Sequence, residues 1–404
     1  MRIKVIHVVT RLDLGGAQQN TLYTATNLDA SRFDCLVVAG AGGILDAEVD
    51  TGKVRIRFLD CLVREISPGK DLLALLQLMA VFIAEKPDIV HTHSSKAGIL
   101  GRLAAFLAGV PVAIHTYHGF GFNDFQSYWR KKAYVLAERL CARLARCLIY
   151  VSQANWDYAR NHELGALSQY RLIRSGIELA QFPVQVNDRG QKKASLGLGK
   201  HKPLIISIGN LKPQKNPGDF VAMAHKVSPE FADAEFLFIG DGPLRKRLEY
   251  QIIASGLSHR LSLPGWRRDA GECLAISDIF VLTSLWEGLP RALVEAMKTG
   301  LPCVCYAADG IADIMKDGVN GFIVPIGNVS LLAQRIMQLL KDPALRKKMG
   351  QRAAQSIGDE FDIDLMVRAQ EKLYDELLMQ ENVPQFRLAC EFKYWYDLFK
   401  FRQF

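Results

Sequence analysis

Two glutamates, Glu287 and Glu295, lie eight positions apart in the stretch 278–324, DIFVLTSLWEGLPRALVEAMKTGLPCVCYAADGIADIMKDGVNGFIV. A carboxylate at the position of Glu295 can accept hydrogen bonds from a polyol such as a ribose. Its plainer use is an ion pair with Arg291, four residues earlier, in the less favourable orientation and worth only about 0.3 kcal/mol. Earlier in the chain, Lys215 stands in the loop 209–216 just ahead of a predicted helix, where a flexible ammonium is placed to neutralise a pyrophosphate leaving group. His118, followed by Gly119, ends an apolar run; an imidazole there can hydrogen-bond to a sugar hydroxyl or a departing phosphate, and His115 is the second candidate. Gly15 and Gly16 separate the first apolar run from the first helix. Glycine lets backbone come close to a ligand, and the helix end offers free N–H groups to an anion. A plain tight turn is the other reading of that pair, and its spacing is not that of a dinucleotide loop.

The elements that carry these residues can be read from apolar patterning. Residues 278–283 form an almost continuously apolar, β-branched run, as in a parallel strand buried on both faces. A loop over 284–289, ending in Leu289, leads to a helix over 290–299, with Pro290 at its first position and Gly300 and Pro302 at its stop. Ala292, Leu293, Ala296 and Met297 form its apolar face, and Glu295 points along a different side. Strands follow at 303–306 and 322–324, the second after the turn 317–321. Such strand–helix alternation forces a parallel sheet whose ligands sit beyond the carboxyl ends of the strands, where Glu287 lies.

The same alternation runs through both halves of the 404-residue chain, a length that predicts two domains. Strands are expected at 3–9, 88–93, 110–117 and 147–152, the last closing the first domain, and at 204–208 and 236–239 in the second. The polar segment 184–202, rich in Lys, Gln and Gly, reads as a linker. The expected division is 1–183, linker 184–202, second domain 203–375, and a tail 376–404 that crosses back.

Composition narrows the partners. A net charge of +8 favours an anionic partner, with nucleic acid, anionic lipid and nucleotide all fitting. The eight scattered cysteines show no C-x-x-C spacing, so reduced core thiols and a cytoplasmic setting are expected. Arg2 and Lys4 interrupt the first apolar run, which lacks signal-peptide shape. The most apolar segment, 72–84, is too short to span a bilayer and is read as a buried helix ending before Pro87. On the helix within 128–147, Lys132, Arg139, Arg143 and Arg146 fall on one stripe beside an apolar face of Ala133, Leu136, Ala137, Leu140 and Leu144. That face packs on a core, or the helix lies on anionic lipid heads; Tyr128 and Trp129 at its start favour the membrane. The aromatic, basic tail 392–404 is expected to pack on the first domain or meet a membrane.

Metal chemistry is not expected. His91 and His93 share one side of a strand, but no third ligand is near in sequence, and Ser94 after them reads as a helix cap. Asp362 and Asp364 form a D-x-D at a helix start, better read as capping than as a metal-diphosphate motif.

The spacing of Glu287 and Glu295 resembles the E-x7-E signature of family 4 retaining glycosyltransferases, enzymes of surface polysaccharide synthesis with two Rossmann-like domains facing a cleft, the GT-B architecture. The resemblance covers nearly the whole chain and is strongest over 209–325. It implies that Glu295 holds the ribose of a nucleotide sugar, that Glu287 lies beside the transferred sugar, and that Gly15–Gly16 meet phosphate and sugar. His118 matches the family histidine and Lys215 the family lysine, whereas Asn210 stands where arginine is usual, with Lys212 able to supply the second charge. The loop of Trp266 and Arg267 would receive the base, although a structural Trp fits equally well. The expected activity is transfer of a sugar from a nucleoside-diphosphate sugar, with retention, to a lipid-linked or polysaccharide acceptor, without metal or cofactor and at the inner face of the plasma membrane. Two rivals stand beside it. A nucleotide-sugar epimerase of the same fold would consume donor without acceptor, and a non-catalytic carbohydrate- or lipid-binding protein would show no turnover. The basic stripe matches no nucleic-acid-binding motif, so no nucleic-acid partner is expected.

Overall fold

The computed structural model describes residues 2–49, 52–123 and 125–380. The described residues form two compact α/β units, one drawn from 2–151, 155–173 and 367–380, the other from 152–154 and 174–366.

The first unit is built on a seven-stranded sheet: β1 (Ile3–Arg11), β2 (Phe33–Gly40), β3 (Arg55–Phe58), β4 (Ile89–His93), β5 (Val112–Tyr117), β6 (Cys147–Tyr150) and β7 (Tyr170–Leu172), ordered β3-β2-β1-β4-β5-β6-β7. Every pairing is parallel. Because side chains alternate along a strand, Ile6 and Val8 enter one core with Leu36, Val38, Leu78 and Phe82. Val9 enters another, with Val37, Ala39 and Ala25. Apolar residues on both faces are what helices on both sides of a parallel sheet require.

The second unit repeats the plan with β8 (Leu204–Ile208), β9 (Glu235–Ile239), β10 (Leu261–Gly265), β11 (Ile279–Leu282), β12 (Cys303–Tyr306) and β13 (Gly321–Val324), ordered β10-β9-β8-β11-β12-β13 and again all parallel. Both sheets share the Rossmann order, in which the chain starts centrally, winds to one edge and returns to build the other half. The reversal falls between β1 and β4 in one unit and between β8 and β11 in the other.

Three expectations need correcting first. Strand β7, three residues long, follows 147–152 and closes the first sheet; it is too brief to leave a sequence pattern. Residues 184–202 are not a linker but part of the second unit, where the helix Arg189–Ser195 is capped by Asp188. Its lysines are anchored, Lys192 on Asp269 at 2.7 Å and Lys193 near Asp278 at 3.6 Å, so polar composition there reflects ion pairing. The apolar helix Pro68–Glu85 is buried on one side only, through Ala74, Leu78, Val81 and Phe82, and leaves Leu72, Leu73 and Ile83 exposed.

Of the two readings of the helix Tyr128–Ala142, the one that packs its apolar face on a core fails for Leu136 and Leu140. The helix buries Glu138, Cys141 and Ala142 and turns Leu136 and Leu140 outward, more than half exposed at 57% and 54%. The cause is a buried charge on the helix Ser95–Leu107: Arg102 is fully enclosed, and its Nη2 donates to Glu138 Oε2 at 2.6 Å, which also accepts from the Tyr117 hydroxyl at 2.8 Å. A buried guanidinium demands a partner, and meeting it fixes the helix's rotation.

The final helix, Ile363–Met379, opens with Asp362 accepting from the amides of Asp364 at 2.8 Å and Leu365 at 3.0 Å, which is the capping role. From Val367 onward it belongs to the first unit, where Glu371 accepts from the Asp29 amide at 2.7 Å and Tyr374 meets His91 at 2.7 Å. The crossing back therefore begins before residue 376. Cysteines 35, 61, 141, 147, 273, 303 and 305 are all free thiols; Cys390 and the segment 392–404 lie outside the described residues.

Candidate functional site

In the second unit the loops leaving β8 and β11 flank the switch point, where a doubly wound sheet opens a crevice for ligands. The first loop ends in a short 3₁₀ turn, Pro213–Lys215, and Asn216 in the left-handed region at φ 44°, before the helix Pro217–Val227. It is laced to the second loop: the Thr283 hydroxyl donates to the carbonyls of Lys215 and Asn216, both at 3.0 Å. Leu285 N donates to the Gln214 carbonyl at 2.8 Å, and Gln214 Nε2 to the Trp286 carbonyl at 2.9 Å. This lacing brings the Lys215 ammonium onto Glu287 Oε1, with Glu287 only 6% exposed. Thr283 and Gln214 carry no catalytic signature, so sequence reasoning missed them.

Two glycines also missed there make the approach possible. A Cβ on Gly310 would stand 1.9 Å from the Gly288 carbonyl oxygen, and one on Gly240, at φ 146°, would stand 1.9 Å from that of Gly209. Only glycine lets the loops after β12 and β9 close on the loops that carry Glu287 and Lys215.

Glu295 lies on the helix Arg291–Lys298, for which Pro290 is the N-cap. Leu293, Val294, Ala296 and Met297 are buried, so Val294 takes the place expected for Ala292. The Glu295 carboxylate is 3.7 Å from Arg291 Nη2, too long for a hydrogen bond. Burial raises its pKa above the ordinary value, and Glu178 adds to the rise while Arg291 opposes it. Leu289 is buried at the end of the loop. Asn210 lies partly buried on the Lys215 loop. Beyond β10, Trp266 is partly buried, while Arg267 grips Asp269 through two bonds of 2.7 Å, so its guanidinium is committed to a neighbour.

The helix Pro217–Val227 carries Asp219 in its first turn, engaged by the Tyr306 hydroxyl at 2.7 Å. A carboxylate there works against an anion at the helix end, and Lys215, two residues ahead of the helix, brings the opposite charge. The helix Gly16–Asn27 of the first unit is the opposite case: Gly15 is its N-cap and its first turn holds no acidic residue, which suits an anion.

His115 and His118 separate cleanly. His115 is buried, its Nδ1 2.9 Å from the Thr92 hydroxyl, and it packs so tightly on Gly98 that a Cβ there would be 2.4 Å from its Cε1. It is a core residue. His118 lies partly exposed just beyond β5, with its Nε2 3.1 Å from His93 Nδ1. His91 and His93 gain a neighbour from β1 that the sequence does not bring near: one ring nitrogen each of His7, His91 and His93 lie within 4.8 Å of one another.

Two Rossmann-order units, with an acid and a lysine meeting at one switch point, define the GT-B class of nucleotide-sugar enzymes. The family profile described as "Glycosyl transferase 4-like domain" matches residues 15–173, and the one described as "Glycosyl transferases group 1" matches residues 188–356. The chain is 33% identical over 383 residues, 94% of its own length and 98% of the other, to the UDP-Gal:alpha-D-GlcNAc-diphosphoundecaprenol alpha-1,3-galactosyltransferase of Escherichia coli. It is 27% identical over 381 residues, 89% of this chain and 90% of the other, to the 2-deoxystreptamine N-acetyl-D-glucosaminyltransferase of Streptomyces fradiae. In fold it is similar to Anabaena HepE in complex with UDP and glucose, at a TM-score of 0.81, 21% identity, and coverage of 93% of this chain and 100% of that one. The chain belongs to the glycosyltransferase 4-like, group 1 family, and it is a glycosyltransferase that uses a nucleotide sugar.

Proposed function

We propose that the protein transfers a sugar from a UDP-sugar to a hydroxyl of a lipid-linked glycan in envelope-glycan synthesis, with retention of configuration. The observation that carries the catalytic part is the contact of Lys215 with Glu287 at the switch point of the second sheet. As the glycosidic bond breaks, the sugar becomes cationic and the diphosphate anionic. A preorganised ammonium stabilises the second charge and carboxylate oxygens the first. Lys215 takes the diphosphate and Glu287 the sugar, while Glu295 accepts hydrogen bonds from the ribose hydroxyls. His118 and the Gly15–Gly16 turn, from the first unit, act on the sugar and phosphate. Asn210, Leu289, Trp266 and Arg267 contribute to donor binding, Arg267 through its hold on Asp269.

Retention follows in this reading from attack on the face the diphosphate leaves, with the leaving phosphate oxygen taking the proton of the acceptor hydroxyl; Glu287 is not a covalent nucleophile. With Lys215 supplying the charge, no divalent metal is required. The acceptor class is supported by the name of the Escherichia coli relative, a diphosphoundecaprenol-dependent galactosyltransferase.

No helix among the described residues is long and apolar enough to cross a membrane. The helix Tyr128–Ala142 nevertheless presents exposed Tyr128, Trp129, Leu136 and Leu140 together with Lys132, and exposed Arg143 and Arg146 follow it, while Arg139 donates to the His162 carbonyl at 2.7 Å. Apolar and basic groups so mixed suit an anionic membrane surface on the cytoplasmic side.

The test pairs binding with transfer. UDP should raise the melting point above that given by the other nucleoside diphosphates. Radiolabelled sugar should then pass from a UDP-sugar to a diphosphoundecaprenol-linked acceptor, equally well with a chelator present. Donor consumption that needs no acceptor would instead mark an epimerase.

A further inference from the structure

In a nucleoside-diphosphate sugar the diphosphate lies between the ribose and the sugar. With the ribose on Glu295 and the sugar at Glu287, it runs from the helix Arg291–Lys298 back toward the loop that precedes it. Arg291 stands on that path, four residues after Glu287 and four before Glu295. It opens the helix, on the same face as Glu295 and one turn, about 5.4 Å, nearer the loop. Helical side chains lean toward the helix N-terminus. This helix begins beyond the carboxyl end of β11, on the side of a doubly wound sheet where ligands bind.

The charges at this end of the second sheet leave room for a second cation. Each phosphate of the donor is negative, and the ammonium of Lys215 is already shared with Glu287. Asn210, on the same loop, is neutral. Beyond β9, Arg245 is tied by all three of its nitrogens, to Glu249 at 2.9 Å, Asp241 at 3.1 Å and the Leu263 carbonyl at 2.8 Å. Beyond β10, Arg267 is committed to Asp269.

Arg291 is placed differently. Its side chain is only 14% exposed, and its Nη2 lies 3.7 Å from Glu295 Oε1, outside hydrogen-bond range. An ordinary ion pair one turn apart would close that gap, and an acid four residues after its base is the less favourable order. One carboxylate at that distance does not saturate a guanidinium, which has five N–H donors in a planar fork. Such a fork matches two oxygens of one phosphate, and enclosure strengthens the contact. Glu295 gains as well. A carboxylate on the ribose stands close to an anionic phosphate, and a cation between the two offsets their repulsion.

We propose that Arg291 binds the α-phosphate of the nucleotide sugar through its guanidinium fork, leaving the β-phosphate to Lys215. This rests on the reading of Glu287 and Glu295 as the sugar and ribose groups. It divides the two cations by role. The α-phosphate keeps its charge throughout the reaction, so Arg291 grips ground state and transition state alike. New charge appears on the β-phosphate as the sugar leaves, where Lys215 stands. Uniform binding of the first kind lowers KM and leaves kcat alone.

The test compares uridine, UMP and UDP on the full-length protein, by calorimetry for UDP and by NMR titration for the two weaker ligands. In Arg291→Gln, affinity for UMP and UDP should fall by about tenfold or more, the scale of losing a charge-assisted hydrogen-bonded contact, while uridine binds as in wild type. KM for the donor should rise, with kcat within about threefold of wild type. Unchanged affinity for UMP overturns the proposal. An equal loss for uridine also overturns it, because it marks Arg291 as a support of the fold. Loss of UMP affinity in Lys212→Ala but not in Arg291→Gln overturns it too, by moving the second charge to the Lys215 loop. Should Arg291→Gln fail to fold, Arg291→Leu, a good helix former at an enclosed position, takes its place with the same outcomes. A wild-type protein that binds neither UMP nor UDP sinks the donor reading itself, apart from the assignment of Arg291.

Discussion

The ammonium of Lys215 and the carboxylate of Glu287 come from loops after different strands, β8 and β11, and touch where the second sheet reverses direction. The pair is mostly enclosed, with side chains 16% and 7% exposed. Lys215→Met keeps the length of the side chain and removes its charge. Steady-state kinetics should show kcat down by about 100-fold or more, the scale of losing one preorganised charge-stabilising group. A kcat within threefold of wild type would remove Lys215 from the reaction.

Glu295 should make nucleotide binding sensitive to pH. Burial raises its folded pKa above the 4.5 of the free group. Between those two values the folded state holds more protons than the unfolded one, so the residue lowers stability as pH rises through a window that opens at 4.5. In the role proposed for Glu295, ribose hydroxyls donate to the ionised form. Affinity for UDP should therefore fall as pH is lowered into that window, and Glu295→Gln should flatten the profile. Calorimetric titrations at several pH values check both; a flat wild-type profile would speak against the assignment.

Gly310→Ala should act through the backbone. Its new Cβ would stand 1.9 Å from the Gly288 carbonyl oxygen, so the loop next to Glu287 has to move. Turnover should drop more than tenfold, since small displacements of reacting groups are costly, while UDP affinity stays near wild type. Loss of both in equal proportion would mean that the loop serves donor binding instead.

Glu138→Ala leaves the enclosed Arg102 without its counter-charge. Breaking a buried pair on one side costs about 3–5 kcal/mol, so the first unit should lose most of its stability in urea. A change under about 1 kcal/mol would mean that Arg102 finds another partner.

The elements that carry Lys215, Glu287 and Glu295 were largely legible in the sequence, because the signals that bound them are local. The helix that carries Glu295 was expected at 290–299 and lies at Arg291–Lys298, since proline and glycine mark its ends. What could not be read depends on partners distant in the chain. Nothing near position 138 announces Arg102, so a core and a membrane were left as alternatives for the apolar face of Leu136 and Leu140; their outward position removes the core for these two. His7 looks like an odd residue in an apolar strand until β1 and β4 pair and set it against His91. The closeness of Gly310 to Gly288 and of Gly240 to Gly209 belongs to loops from different strands, which no spacing rule connects.

The sharpest test separates holding the nucleotide from moving the sugar. UDP is titrated calorimetrically into wild type, Glu287→Gln and Glu295→Ala, and transfer is assayed on the same preparations. Glu287→Gln should bind UDP like wild type yet transfer no sugar, and Glu295→Ala should bind UDP at least tenfold more weakly. Equal UDP affinity for wild type and Glu295→Ala, or full transfer by Glu287→Gln, would contradict the division of labour between the two glutamates.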